Sequence, residues 1–105
     1  VKGNIPIVCS AVSVVLLRWC QSLAQILLLR RTRPPAGVWY QVAGGIEANE
    51  TAWQTALREV TEETGLRLAE LWSGDFCEQF YEADKYRITM LPVFIGSCHR
   101  MPRLC

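Results

Sequence analysis

Three glutamates, Glu59, Glu62 and Glu63, stand beside Arg58 in a helical stretch that follows a Gly44-Gly45 pair. Like charges four apart on a helix destabilise it by roughly 0.2–0.5 kcal/mol even when exposed. Carboxylates pushed toward a protein body also lose hydration. Glu59 has Glu63 at its following i+4 position, where a Lys or Arg would give support. Arg58 reaches Glu62, yet one guanidinium cannot neutralise three carboxylates. The missing positive charge points to Mg²⁺ or Mn²⁺, hard ions that take oxygen ligands and sit between carboxylates and substrate phosphates. A solvated acidic face is the ordinary meaning of Glu on a helix, and the glycine turn ahead of it tips the balance toward a metal site.

The helix that must carry these groups is legible from its ends. Thr51 followed by Gln54 is a capping-box pattern that satisfies orphaned backbone donors. Gly65 suits the left-handed conformation that closes many helices. About 13 residues lie between, roughly 20 Å of helix. Ala52, Trp53, Ala56, Leu57 and Val60 recur at helical spacing and are expected to form the apolar face. Glu59 and Glu63 share a row with Ala52 and Ala56 at the edge of that face, and Glu62 lies on the next row.

Gly44, five residues, Glu50, seven residues, then Arg58-Glu59-Val60-x-Glu62-Glu63-x-Gly65-Leu66 resembles the complete Nudix box of the Nudix hydrolases. Every fixed position is filled, and the two apolar positions hold Val60 and Leu66. Carried over residue by residue, the resemblance implies that Glu59, Glu62 and Glu63 bind a divalent metal, Mg²⁺ with Mn²⁺ as substitute. The Gly44-Gly45 backbone would pass close by, with a Gly44 carbonyl as a further ligand. It implies catalytic roles for Glu50, Arg58 and Glu62: Glu50 supports the metal site or its water, and Arg58 orients the glutamates. The implied reaction is hydrolysis of a diphosphate linkage in a nucleoside triphosphate or other nucleoside diphosphate derivative. Metal ions would neutralise phosphate oxygens and lower the pKa of a bound water, with positioning and electrostatic preorganisation carrying most of the rate.

The sequence departs from the family pattern at Ala43, where many members have Pro, and at Asn49, which replaces a common glycine and tolerates turn conformations. The wider WYQVAGGIE segment looks like the nucleotide-directed branches. Family domains also continue through another strand and a C-terminal helix, whereas SCHRMPRLC resembles neither. The expectation is a C-terminally short domain, or a homodimer in which a second copy completes the sheet or pocket, since an unfinished sheet leaves an edge open to pairing. That shortness keeps a second function class open: a catalytically weak Nudix-fold binding or interaction module.

The scaffold reads as α/β, a mixed sheet flanked by helix. Ile7–Leu17 reads as a buried strand; it lacks a signal-peptide cleavage pattern and is shorter than the ~20 residues that span a bilayer. Further strands are expected over Gln25–Arg31, Trp39–Val42, Ala69–Tyr81 and Tyr86–Ile95, the last two joined around Glu82–Lys85. Residues 1–105 read as a single domain, half of it apolar, near the lower end of domain size. A net charge of +1 gives no general electrostatic case for nucleic acid or membrane as partner. The expected partner is a small nucleotide. Five cysteines without paired spacing suit a reduced, cytoplasmic protein, with Cys9 and Cys77 as small buried side chains.

Outside the box, Arg30, Arg31 and Arg33 precede Pro34-Pro35 and are candidates for phosphate binding, with basic surface residues as the alternative. Trp39 and Tyr40 are candidates to stack a base, although a structural aromatic before the glycine loop is the blander role. Glu78, Glu82 and Asp84 are candidates for an extra ligand or general base, with a solvated loop favoured for each. Cys98, His99 and Cys105 lack tetrahedral zinc-site spacing.

Overall fold

The computed structural model describes residues 3–98. The strands are β1 (Ile7–Val8), β2 (Ala11–Cys20), β3 (Leu23–Leu27), β4 (Leu29–Arg30), β5 (Trp39–Tyr40), β6 (Val42–Gly45), β7 (Leu68–Glu82) and β8 (Arg87–Cys98), with helix α1 (Ala52–Thr64) between β6 and β7. The expected first strand is interrupted at Cys9-Ser10, and its two pieces lie in parallel along β8: Ile7 pairs with Ile88 and Ser13 with Val93. β7 pairs antiparallel with the other edge of β8, while β2 pairs antiparallel with β6 and β3 on its far side. β4 and β5 form a separate two-stranded sheet. This mixed sheet with one described helix is the α/β architecture expected.

Alternation along β2 sends Val12, Val14 and Leu16 toward α1, where they meet Val42, Ala56 and Val60 in the buried core. Burying each Val or Leu side chain among them contributes roughly 1.5–3 kcal/mol, and Ala56 less, which welds α1 to β2 and β6. The helix ends match the local signals. Thr51 and Gln54 cap each other reciprocally, and Gly65 takes φ 74° while its N–H reaches the Thr61 carbonyl.

Ala52, Ala56 and Val60 of the expected apolar face of α1 do meet the core, but its other two members do not. Trp53 is 51% exposed and Leu57 is exposed, whereas Thr55 is fully buried. Thr55 can be buried because its hydroxyl donates to Glu50 at 2.6 Å and to the Thr51 carbonyl at 3.1 Å. The helix is thereby turned so that the row of Ala52, Thr55, Ala56 and Glu59 faces the sheet. The buried strand also begins later than expected, since Ile7 is exposed. Among the described residues, no helix is long and apolar enough to cross a membrane.

Candidate active site

β6 and α1 bring the glycine pair and the glutamates together. Gly44 pairs with Val12 of β2, which turns its missing side chain toward α1. The Glu59 carboxyl group occupies the space a Cβ on Gly44 would need. Only glycine lets the strand approach the helix this closely.

Arg58 holds the rest. Its Nε donates to Glu50 Oε2 at 2.8 Å and lies 3.1 Å from Glu47 Oε1. Its Nη1 donates to Glu59 Oε1 at 2.9 Å and to Glu62 Oε2 at 3.0 Å. Its Nη2 reaches Glu50 Oε1 at 3.0 Å and the Gly45 carbonyl at 2.9 Å. One guanidinium therefore ties the glycine turn, the connecting loop and two of the three glutamates. Glu50 is held further by the Thr55 hydroxyl and by the Glu47 N–H at 3.1 Å. These donors, Arg58 foremost and then Thr55 and the Glu47 backbone, lower the Glu50 carboxyl to about 2. The same partnership, led by Glu50, raises the already high pKa of Arg58.

Glu63 behaves in the opposite sense. Partial burial first, then the neighbouring Glu59 charge, push its carboxyl above the usual range, while the Ala43 backbone N–H offers partial compensation. Glu59 and Glu63 stand within hydrogen-bonding reach of each other. Two carboxyl groups in that relation call for a proton or a cation between them. Glu62 is the most open of the three, its side chain 57% exposed.

The expected triad is thus only partly assembled. Among the described residues, no three acidic, His or Cys side chains close on a single point as a ready-made coordination sphere. Glu59 and Glu63 converge beside Gly44 and Ala43, whereas Arg58 draws Glu62 aside. Among the described residues Arg58 is the cation that pairs with these carboxylates, and its guanidinium is their strongest partner. Glu50 lies on Arg58 and Thr55 instead of facing the Glu59–Glu63 pair. Sequence reasoning missed Glu47 and Thr55, for which no local spacing signal exists.

The remaining candidates are dispersed. Arg30 lies over the Trp39 ring, 5.6 Å from its centroid, and Arg30, Arg31, Thr32, Arg33 and Tyr40 line a cavity of about 320 Å³. Glu78 sits part-buried in β7, accepting from Gln41 Nε2 at 2.8 Å, and Gln41 also reaches Ser13. Glu82 is no solvated base: it accepts from Thr89, and from Arg87 at 2.8 Å, with Lys85 at 3.5 Å, which lowers its carboxyl to about 2. Asp84 is exposed in the turn between β7 and β8. Cys77 and Cys98 are half-buried free thiols and Cys9 is a free, exposed one, so Cys9 is not the buried side chain expected. Cys20 is disulfide-bonded, which departs from an all-reduced reading. His99 and Cys105 lie outside the described residues.

Fold and site together define an α/β protein whose single described helix presses an acidic edge against a glycine turn. The family description NUDIX domain matches residues 9–99, and the chain belongs to the Nudix family. It is 32% identical over 89 residues to the dihydroneopterin triphosphate diphosphatase of Escherichia coli K12, covering 85% of this chain and 54% of that protein. A 57-residue stretch is 40% identical to part of an octanoyltransferase of Myxococcus xanthus, covering 54% of this chain and 16% of that one. The chain therefore spans about half the length, or less, of these curated relatives. A solved NUDIX hydrolase structure from Listeria monocytogenes superposes with a TM-score of 0.70 at 26% identity, covering 91% of this chain and 70% of that one.

Proposed function

We propose that this chain is a Nudix domain that hydrolyses a diphosphate linkage in a nucleoside triphosphate or related nucleoside diphosphate derivative, with Mg²⁺ as cofactor. The observation that carries the reading is the Glu59–Glu63 carboxyl pair, held against Gly44 and the Ala43 N–H without a full counter-charge. That donor set suits a hard divalent cation, because all of its ligating atoms are oxygens and excess negative charge is already concentrated there. Glu59 and Glu63 would hold the ion, with Glu62 joining on release from Arg58 and the Gly44 carbonyl beside them. When bound, the cation would neutralise phosphate oxygens and acidify a water.

The chain's own residues do the rest. Arg58 clamps the Gly45 carbonyl to the helix and so keeps the glycine turn and the glutamates in register. Glu50, held ionised by Arg58 and Thr55, keeps that guanidinium charged and aimed. Glu62 is the most exposed of the three and only its Oε2 is committed to Arg58, so its other oxygen would either join the ion or take a proton from an attacking water. The E. coli relative named as a triphosphate diphosphatase supports this reaction class. Among the described residues the outer edge of β7 pairs with no strand and Trp72, Phe76, Phe80 and Tyr81 are exposed; this supports self-association there, and a monomer by sedimentation at high concentration would exclude it.

The second reading, a binding module of weak activity, draws on the incomplete convergence of the three glutamates. Phosphate release from a nucleotide panel with Mg²⁺, beside Glu62→Gln and Glu63→Gln, separates the two. Mg²⁺-dependent turnover lost in both variants supports the enzyme; no turnover on any diphosphate leaves the module.

A further inference from the structure

We propose that the cavity bounded by Arg30, Arg31, Arg33 and Tyr40 is a second phosphate pocket. It takes phosphate groups of the substrate beyond the linkage that is cut, so that substrates with three or more linked phosphates are favoured. The part about substrate rests on the hydrolase reading above; the pocket itself does not.

The charge balance comes first. Between pairs of described residues, ion pairs are made by Arg58, Lys85 and Arg87. Arg30, Arg31 and Arg33 have no carboxylate partner among those residues, although they share one cavity of about 320 Å³. Arg30, Arg31 and Arg33 are exposed, so water screens their mutual repulsion, but three positive charges beside one space still favour an anion there. A phosphate group accepts from several donors at once and bidentately from guanidinium, which suits a space lined by three arginines. The cavity is near the small end of ligand pockets, about 300–1,000 Å³, and suits linked phosphates better than a whole nucleoside.

The groups are also held in place. The loop between β4 and β5 is closed by Arg31 N–H to the Val38 carbonyl and by Gly37 N–H to the Arg31 carbonyl, both at 2.8 Å. Arg31 Nε donates to the carbonyls of Arg33 at 3.2 Å and Pro34 at 3.1 Å, leaving its two terminal nitrogens uncommitted. Arg30 is steadied over the Trp39 ring, and a Cβ on Gly37 would lie 3.4 Å from its Nη2. Tyr40 contributes part of the wall. β5 then runs through Gln41 into β6, so Tyr40 and Gly44 are at most about 13 Å apart along an extended strand. The pocket therefore sits on the strand that leads directly into the glycine turn.

The test measures binding of inorganic tripolyphosphate to the full chain by calorimetry in EDTA. The wild type is compared with Arg30→Gln/Arg33→Gln, with Arg30→Lys/Arg33→Lys and with Glu62→Gln. Arg31 is left alone because its Nε holds the loop. Equal far-UV circular dichroism in all four proteins establishes that each is folded. The expected result is binding at least about tenfold weaker in the Gln pair, partial retention in the Lys pair, and no weakening in Glu62→Gln. Equal affinity in the wild type and the Gln pair, or no binding by the wild type, overturns the pocket. If turnover is found, the Gln pair should also raise KM for a nucleoside triphosphate about tenfold more than for a nucleoside diphosphate sugar; equal changes overturn the substrate preference. Absence of all turnover with the tripolyphosphate result intact would defeat the hydrolase reading and leave the pocket standing.

Discussion

The carboxyl group of Glu59 fills the volume that a side chain on Gly44 would require. Strand and helix meet there with nothing between them but an acidic group and a bare Cα. The acidic edge of α1 is consequently part of the packing as well as of the chemistry, which couples stability to the state of the site.

Gly44→Ala should therefore do more harm than an ordinary Gly→Ala change. The added methyl must displace Glu59 from its bond to Arg58, and overpacking of this kind costs about 1–3 kcal/mol. The expected outcome is a lowered melting temperature in EDTA together with loss of Mg²⁺-dependent stabilisation. Gly45→Ala is the control, since its nearest neighbour would be the Ser10 carbonyl at 3.9 Å, and it should melt close to the wild type.

Arg58→Gln should leave Glu50 without its main partner and free Glu62 from the ion pair. Loss of a group that orients ligands typically lowers metal affinity or activity about 10–100-fold. Arg58→Lys should not rescue, because an ammonium cannot span Glu50, Glu59 and the Gly45 carbonyl together. Turnover in the Lys variant within a factor of about two of the wild type would refute the clamp.

Acid should destabilise the protein through Glu50. Its folded carboxyl is lowered to about 2 from an unfolded value of 4.5. A depressed carboxyl contributes stability that is present above the unfolded value and disappears as pH falls toward the folded one. Melting temperature should decline between about pH 4.5 and 2, and Glu50→Gln should flatten that decline. Glu82→Gln should remove a separate part of the same slope, because its carboxyl is also lowered to about 2.

Glu63→Gln should shift the balance in the other direction. Because the folded Glu63 carboxyl is raised, its charged form burdens the folded state once pH rises past that value. The variant should melt higher than the wild type in EDTA at neutral pH, and lower than it in millimolar MgCl₂. A lower melting temperature in both buffers would remove the argument that Glu63 waits for a cation.

Much of the helix could be read directly because its signals are local. Thr51, Gln54 and Gly65 act within a few residues of themselves, and all three behave as their types dictate. Its buried face was legible only in part: Ala52, Ala56 and Val60 meet the core as their spacing predicts, but Trp53 and Leu57 look better suited to a core than Thr55. What decided the matter is the Thr55 bond to Glu50, which removes the desolvation cost of the hydroxyl. Strand identities were legible from apolar runs, but their pairing was not. β2 lies parallel to β8, with Ser13 beside Val93, and no local pattern announces a partner so distant in the chain.

The amino-acid order by itself determined that a capped helix with three glutamates and an arginine would follow a pair of glycines, because helix limits and charge spacing are properties of neighbouring residues. Only the tertiary structure decided how those charges divide. Arg58 turns to Glu50, Glu59 and the Gly45 carbonyl as well as to Glu62, and Glu63 is left against Glu59. The reason is geometric: β2 pins Gly44 against α1, and that contact sets which carboxylate an arginine can reach and which must find its positive charge elsewhere.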